Sequence, residues 1–117
     1  MILADRHIMV LEDEAIIAFG LEDMLLEIGA SVAVATSITE AFEMLADNDF
    51  DFAVLDVNLH GEKSYPVADR LIEAGIEFIF ATGYGDAEHP ERFRQVPTVT
   101  KPYSVDQIQA AASSPRI

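Results

Sequence analysis

The chain has 117 residues, half of them apolar, which is the size of one ordinary domain with a single core. It contains no Cys, which excludes a disulfide framework and thiolate chemistry, and its apolar runs are too short to span a membrane. Its 21 Asp and Glu against 7 Lys and Arg give a net charge of −14, and such an acidic surface argues against nucleic-acid binding.

The first half of the chain alternates short apolar runs with helical stripes. Residues 7–11, HIMVL, predict a strand, and residues 31–35, SVAVA, predict a second one. Between them, apolar residues recur every three or four positions, as in an amphipathic helix, and Gly29 suits the position just past its end. Ser37 and Glu40 form a capping box that predicts the start of a second helix. The stripe of the first helix comprises Ile17, Leu21, Met24, Leu25 and Ile28.

The second half continues this alternation with three more apolar runs. Residues 52–57, FAVLDV, residues 76–81, IEFIFA, and residues 97–100, PTVT, predict the third, fourth and fifth strands. The segment GYGDAEHPERFRQV between the last two strands has few apolar residues, so a short helix starting near Pro90 and a loop remain alternative interpretations. The other helix signals are Ser64, Pro66, Val67, Leu71 and Gly75 for a third helix, and Ser104, Val105, Gln107, Ile108 and Ala112 for the last one.

Strands that are apolar on both sides and alternate with helices predict a doubly wound parallel sheet, covered by helices on both faces. In such a sheet, ligands bind outside the carboxyl ends of the strands. The residues at those ends are Glu12, Asp13, Asp56, Thr82 and Lys101, and we expect them to converge on one pocket.

Three carboxylates in one pocket repel one another unless a cation lies among them. Mg²⁺ prefers oxygen ligands and retains several waters, so a few protein oxygens suffice. Asp13 and Asp56 could supply side-chain oxygens, Asn58 a backbone carbonyl, and Glu12 a contact through a bound water. Beside Mg²⁺ and the Lys101 ammonium, Asp56 would be equipped to accept a phosphoryl group as a nucleophile.

Each of these residues also has an ordinary structural explanation when it is taken alone. An acidic pair after a strand often begins a helix, an Asp after an apolar run is often a turn residue, and a lone Lys is usually solvated. The combination at successive strand ends, in this order, favours the functional interpretation.

Four stretches together resemble the receiver domain of bacterial two-component response regulators, and the resemblance covers essentially the whole chain. They are VLEDE (10–14), AVLDVNLHGE (53–62), FATGYG (80–85) and VTKPY (99–103). The resemblance implies a flavodoxin-like α/β fold, with five parallel strands in the order 2-1-3-4-5 and a fourth helix that is short or degenerate. The absence of Cys and of a secretory signal predicts a cytoplasmic protein, and the length predicts a single receiver domain over residues 1–117.

The resemblance assigns a role to each residue of the pocket. It makes Asp56 the phosphoacceptor, Glu12 and Asp13 the acidic pair that organises Mg²⁺, and Asn58 the backbone ligand. It makes Thr82 the hydroxyl switch residue and Lys101 the phosphate contact, and it implies a cis peptide bond before Pro102. The implied phosphodonor is a sensor histidine kinase or a phosphotransfer protein, and the output is binding to an unknown downstream protein.

The sequence departs from the common receiver pattern at Thr98, where an aromatic residue is usual. FATGYG is similar to the subgroup of FAT GUY receivers, and DVNLHGE resembles receivers that pair with atypical histidine kinases. We therefore expect Tyr84, between two glycines, to replace the missing aromatic signal. The expected partner face comprises the fourth-helix segment, the fifth strand and the last helix. Tyr84, Phe93 and Tyr103 are apolar enough to contribute to it, although an aromatic residue is more often a packing residue.

Two other functions are compatible with this fold. One is a receiver-like module that binds proteins and is never phosphorylated. The other is a small hydrolase of the aspartyl-phosphate type, against which Asn58 argues because it stands where an acid–base Asp would be needed. His7, His60 and His89 lack metal-ligand spacing, and we expect His60 only to tune the entrance of the pocket.

Overall fold

The computed structural model describes residues 3–83, 90–101 and 103–112. Tyr84 and Pro102 lie outside these ranges, and so do the predictions made for them. In chain order the elements are β1 (His7–Leu11), α1 (Ala15–Glu27), β2 (Ser31–Ala35), α2 (Ile38–Asp47), β3 (Phe52–Asp56), β4 (Asn58–Leu59), β5 (Glu62–Lys63), α3 (Tyr65–Ala74), β6 (Glu77–Thr82), a one-turn 3₁₀ helix (Glu91–Phe93), β7 (Thr98–Thr100) and α4 (Val105–Ala112).

Five strands form one parallel sheet in the order β2-β1-β3-β6-β7. In the order of the chain these are the second, first, third, fourth and fifth long strands, so the predicted topology is confirmed. β1 and β3 are buried along almost their whole length, as strands covered on both faces must be. None of the helices in the described ranges has the length and apolar character that crossing a bilayer requires.

The core consists of two apolar clusters, one on each face of the sheet. Alternate residues of β1 point to opposite faces, so that Met9 lies in one cluster and Val10 in the other. One cluster packs beneath α2 and α3, and the other beneath α1 and α4. This two-sided burial fixes the register of the strands and therefore the level at which each strand ends.

The helix ends follow the signals in the sequence. Gly29 follows the C-cap residue Ile28 of α1 and has φ of +93°, and Ala30 N–H donates to Leu25 O at 3.1 Å, which is a Schellman ending. At α2, Glu40 N–H donates to Ser37 Oγ at 3.1 Å, while the Glu40 side chain accepts from Thr36 N–H instead of the Ser37 N–H that a capping box predicts.

A small hairpin after β3 is absent from the sequence-based prediction. The predicted third strand was residues 52–57, but β3 ends at Asp56 and the chain turns into the antiparallel pair β4–β5. The two turn residues, His60 and Gly61, both have positive φ, +50° and +88°, as a type I′ turn requires. Asn58 Oδ1 accepts a hydrogen bond from Gly61 N–H at 3.1 Å, which pins the turn.

In the segment before β7, the described residues 90–97 contain a single 3₁₀ turn, Glu91–Phe93, which agrees with the prediction of a short or degenerate fourth helix. The turn is anchored by Phe93, which is fully buried and contacts the rings of Tyr65 and Phe80 at centroid distances of 5.3 and 5.6 Å. Arg92 adds a two-pronged contact with Asp69 on α3, at 2.9 and 3.1 Å. Phe93 is therefore a packing residue, as its residue type favours, and it does not contribute to a partner face.

We expect Phe93→Ala to lower the free energy of unfolding by about 3–5 kcal/mol, because it empties a buried aromatic site. Phe42→Ala is the matched control, since Phe42 is 38% exposed on α2, and it should cost about 1 kcal/mol or less. Urea denaturation of the metal-free protein measures both values. Equal small losses would show that this ring does not anchor the segment.

Candidate functional site

The carboxyl ends of β1, β3 and β7 bring two carboxylates and one ammonium group together. Lys101 Nζ lies 2.6 Å from Glu12 Oε1 and 3.2 Å from Asp56 Oδ2. Glu12 and Asp56 are almost completely buried, and the Lys101 side chain is 14% exposed. This arrangement is a buried ion-pair network in which one ammonium group lies between two acids and can balance the charge of only one of them.

Asp13 completes an acidic cluster at the same edge. One carboxylate oxygen from each of Glu12, Asp13 and Asp56 lies within 4.8 Å of the others. Glu12 Oε2 also accepts a hydrogen bond from Glu14 N–H at 3.1 Å, which orients its carboxylate at the start of α1. His60 Nε2 lies 3.1 Å from Asp13 Oδ2, a contact that sequence reasoning missed.

Thr82 lies at the end of β6, buried and next to this cluster in the sheet. Its neighbour Ala81 pairs with Asp56, and Thr82 O accepts a hydrogen bond from Lys101 N–H at 2.9 Å. Thr98 is exposed at the start of β7 and pairs with Phe80, so it lies two residues from the Thr82–Thr100 pair.

Burial governs the acid–base behaviour of the cluster. It raises the pKa of Glu12 to about 7, and the hydrogen bond from Lys101 only partly offsets that effect. Burial also raises the pKa of Asp56, against the opposing charge of Lys101. For Lys101, burial acts to lower the pKa, but the bond to Glu12 and the charge of Asp56 prevail and raise it.

A groove of about 420 Å³ lies beside the cluster, between α1 and the segment after β7. Its outer wall includes Ile16, which is 88% exposed, and Phe19 on the same helix is 60% exposed. Helix α1 is therefore apolar beyond the buried stripe predicted for it. Residues lining the groove are Ile16, Ile17, Gly20, Leu21, Met24, Lys101 and Tyr103.

Comparison with known proteins identifies this arrangement. The sequence model of the family described as response regulator receiver domain matches residues 8–113. The chain belongs to that family. As a receiver domain of two-component signalling it is a switch and not a metabolic enzyme.

Related proteins agree with this assignment. The aerobic respiration control protein ArcA of Escherichia coli K12 is 31% identical over 78 residues, which are 66% of this chain and 33% of ArcA. This receiver domain therefore matches about a third of the length of that protein.

Solved structures give the same result. SdrG from Sphingomonas melonis Fr1 is 38% identical, with a TM-score of 0.79 over 93% of this chain and 97% of SdrG. The BeF3-activated conformation of SdrG, from Pseudomonas melonis Fr1, is 39% identical, with a TM-score of 0.75 over 92% and 93% of the two chains. TrrA from Thermotoga maritima, in complex with Mg(2+)-BeF, shares the fold at 22% identity, with a TM-score of 0.79 over 90% and 94% of the chains.

The donor set of this receiver domain fits the Mg²⁺ that the family implies. Mg²⁺ prefers carboxylate and carbonyl oxygens, and the three carboxylates supply such oxygens within 4.8 Å of one another. The raised pKa values of Glu12 and Asp56 show that two of these carboxylates are poorly compensated by Lys101 alone. A divalent cation would supply the positive charge that Lys101 alone does not provide to these carboxylates.

The raised pKa of Glu12 predicts a specific pH dependence of stability. Its pKa in the folded protein, about 7, lies above the ordinary value of 4.5, so the folded state binds the proton more tightly than the unfolded state. Glu12 therefore contributes stability that is fully present below about pH 4.5 and lost as the pH rises through about 7.

We expect Glu12→Gln, which mimics the protonated acid, to gain stability relative to wild type by on the order of 1 kcal/mol or more between about pH 5 and pH 8. Denaturant titrations with a chelator present measure the difference at each pH. A difference that does not change with pH would contradict the prediction.

Proposed function

We propose that this receiver domain accepts a phosphoryl group on Asp56 from a phosphohistidine of a sensor histidine kinase or a phosphotransfer protein, and relays its state by binding another protein. The observation that carries the proposal is the position of Asp56, buried at a strand end with Lys101 Nζ at 3.2 Å and two further carboxylates beside it. A buried Asp with a fixed counter-ion and two further carboxylates beside it has the groups that phosphoryl transfer requires.

The chemistry at Asp56 is a displacement at phosphorus. One carboxylate oxygen of Asp56 forms the new P–O bond while the P–N bond to the donor imidazole breaks, and the imidazole keeps the bonding electrons. Lys101, whose Nζ lies 3.2 Å from Asp56 Oδ2, would neutralise the phosphoryl oxygens that arrive beside Asp56. Hydrolysis of the acyl phosphate by water later restores the carboxylate.

Mg²⁺ would be held by the side chains of Asp13 and Asp56 and by the backbone carbonyl of Asn58, with Glu12 acting through a bound water. When bound, it supplies charge neutralisation for the carboxylates and for the phosphoryl oxygens. The Asn58 side chain is already engaged with Gly61 N–H at 3.1 Å, which fixes the strand that presents this carbonyl.

Thr82 is the proposed sensor of phosphorylation, through a hydrogen bond from its hydroxyl to the phosphoryl group. A shift of Thr82 would also move Lys101, because the Lys101 N–H donates a hydrogen bond to Thr82 O. The same shift would move Phe80, which lies on the same strand and whose ring contacts the buried Phe93. Tyr84 stays the sequence-based candidate for the exposed signal, in place of an aromatic at Thr98.

The exposed apolar surface of α1 is the proposed docking face for the phosphodonor. It lies beside Lys101, and a donor imidazole must come within bonding distance of Asp56. Ile16 and Phe19 are large apolar side chains exposed to solvent. Such residues become buried when another helix docks against them.

We expect wild type to acquire an acid-labile phosphate from its cognate phosphodonor in the presence of Mg²⁺, and Asp56→Ala and Asp56→Asn to acquire none. The Asn variant is the matched control because it keeps the shape of the side chain and removes the nucleophile. Phosphate-affinity gel shifts and intact-mass measurements detect an addition of one phosphoryl group. Labelling that survives in either variant would refute Asp56 as the acceptor.

We expect Ile16→Ser to slow phosphotransfer from the protein donor by about tenfold, because it removes an apolar contact at the docking face. Phosphorylation by a small donor such as phosphoramidate should stay unchanged, since it needs no docking. Ile72→Ser on α3 is the control, because Ile72 is 52% exposed and outside the groove. Slowing with both donors, or in both variants, would count against docking through α1.

A further inference from the structure

Ser64 is a buried polar residue whose hydroxyl the fold leaves unused. The residue is fully buried, and its Oγ has no hydrogen-bond partner among the residues that the structure describes. It directly precedes α3, where a Ser side chain usually accepts a hydrogen bond from the first turn of the helix, but it makes no such bond here. Burying an unpaired hydroxyl is unfavourable, so neither capping nor packing accounts for a Ser in a site that an Ala would fit.

The backbone places Ser64 at the exit of β6. Val57 N–H donates to Ala81 O at 3.2 Å, so the pairing with β6 extends past the end of β3. In a parallel ladder the Val57 carbonyl would next accept from Gly83 N–H, but it accepts from Ser64 N–H at 2.9 Å. Ser64 therefore lies where the next residue of β6 would have paired, directly beyond Thr82.

Ser64 and the Thr82 side chain lie on the same face of the sheet. Alternate residues of a strand point to opposite faces, and Phe80, two residues before Thr82, lies in the cluster beneath α2 and α3. Thr82 therefore points to the face on which Ser64 begins α3. Both residues are buried, with exposures of 0% for Ser64 and 3% for Thr82. Two buried hydroxyl groups thus share one face at the end of β6.

We propose that Ser64 is a positioning residue of the switch, and that its hydroxyl donates a hydrogen bond to Thr82 Oγ1 when Asp56 is phosphorylated. The inference rests on the proposed function, in which the Thr82 hydroxyl donates to the phosphoryl group. A hydroxyl that donates one hydrogen bond keeps its lone pairs to accept another, and the Ser64 O–H supplies it. Hydrogen bonds in such a chain polarise one another, so Ser64 orients the Thr82 hydroxyl and strengthens its bond to the phosphoryl group.

The test uses beryllofluoride with Mg²⁺ as a mimic of the phosphoryl group on Asp56. Ser64→Ala removes the hydroxyl and leaves the rest of the side chain in place. We expect it to weaken the apparent beryllofluoride affinity by about fivefold, the effect of losing one hydrogen bond. The affinity for Mg²⁺ alone should change by less than about twofold, because no phosphoryl mimic is then present for Thr82 to contact. Backbone amide NMR titrations measure both affinities.

A double-mutant cycle tests whether Ser64 acts through Thr82. Thr82→Val keeps the shape of the side chain and removes its hydroxyl. In the Thr82→Val background, adding Ser64→Ala should change the beryllofluoride affinity by less than about 1.5-fold, because the bond that Ser64 supports is already absent. An equal loss of affinity in both backgrounds would overturn the proposed contact with Thr82.

Ser37→Ala is the matched control, because Ser37 also precedes a helix but its Oγ accepts a hydrogen bond from Glu40 N–H at 3.1 Å. It should lower the urea midpoint of the unliganded protein and leave the beryllofluoride affinity unchanged. Ser64→Ala should do the reverse, since the free protein loses no hydrogen bond with this hydroxyl.

The outcomes separate this inference from the proposed function. Unchanged beryllofluoride affinity in Ser64→Ala, or a lowered urea midpoint of the unliganded variant, would overturn the positioning role and leave phosphorylation of Asp56 in place. Wild type that binds no beryllofluoride in the presence of Mg²⁺, or binds it equally well as Asp56→Asn, would overturn the proposed function and this inference with it.

Discussion

The ammonium group of Lys101, held between the buried carboxylates of Glu12 and Asp56, is the contact on which the functional edge of the sheet depends. Two buried acids cannot both be ionised near each other without a cation, because desolvation and mutual repulsion both favour the protonated forms. The Lys101 ammonium group, 2.6 Å from Glu12 Oε1 and 3.2 Å from Asp56 Oδ2, supplies part of the required positive charge. Burial raises the pKa of Glu12 to about 7 in spite of the Lys101 hydrogen bond, so Lys101 alone does not offset the cost of burying this charge.

The fold produces this arrangement by ending several parallel strands at one level. β1 lies at the centre of the sheet next to β3, which in turn pairs with β6, so Glu12, Asp56 and Thr82 occupy neighbouring positions. β7 at the edge brings Lys101 across to them. Apolar clusters on both faces lock the register of these strands, and a slip of one residue would turn Asp56 into the core. The packing that stabilises the domain thus also sets the distances within the site.

The sequence predicts the sheet and most of the site because both depend on regular patterns. Strands that are apolar on both faces can be recognised in the sequence, and so can the polar residues that directly follow them. The β4–β5 hairpin was missed because its signal is only Gly61, preceded by a His in a conformation that His seldom adopts. The contact between His60 and Asp13 was missed for the same reason. The exposed apolar residues Ile16 and Phe19 were missed because apolar periodicity identifies only the buried stripe of a helix. It does not identify apolar residues on the solvent-facing sides of the helix.

The proton on Glu12 and the metal ion are alternative ways to relieve the same charge imbalance. In the metal-free protein the buried carboxyl of Glu12 binds a proton readily, since burial outweighs the help from Lys101. A divalent cation near Asp13 and Asp56 would stabilise the ionised form and expel that proton. The proposed phosphorylation of Asp56 would add negative charge there and increase the demand for cations. Lys101 links these events, because its side chain lies between Glu12 and Asp56 while its backbone N–H, which continues the β6–β7 pairing, donates to the carbonyl oxygen of Thr82, the residue proposed to sense the phosphoryl group.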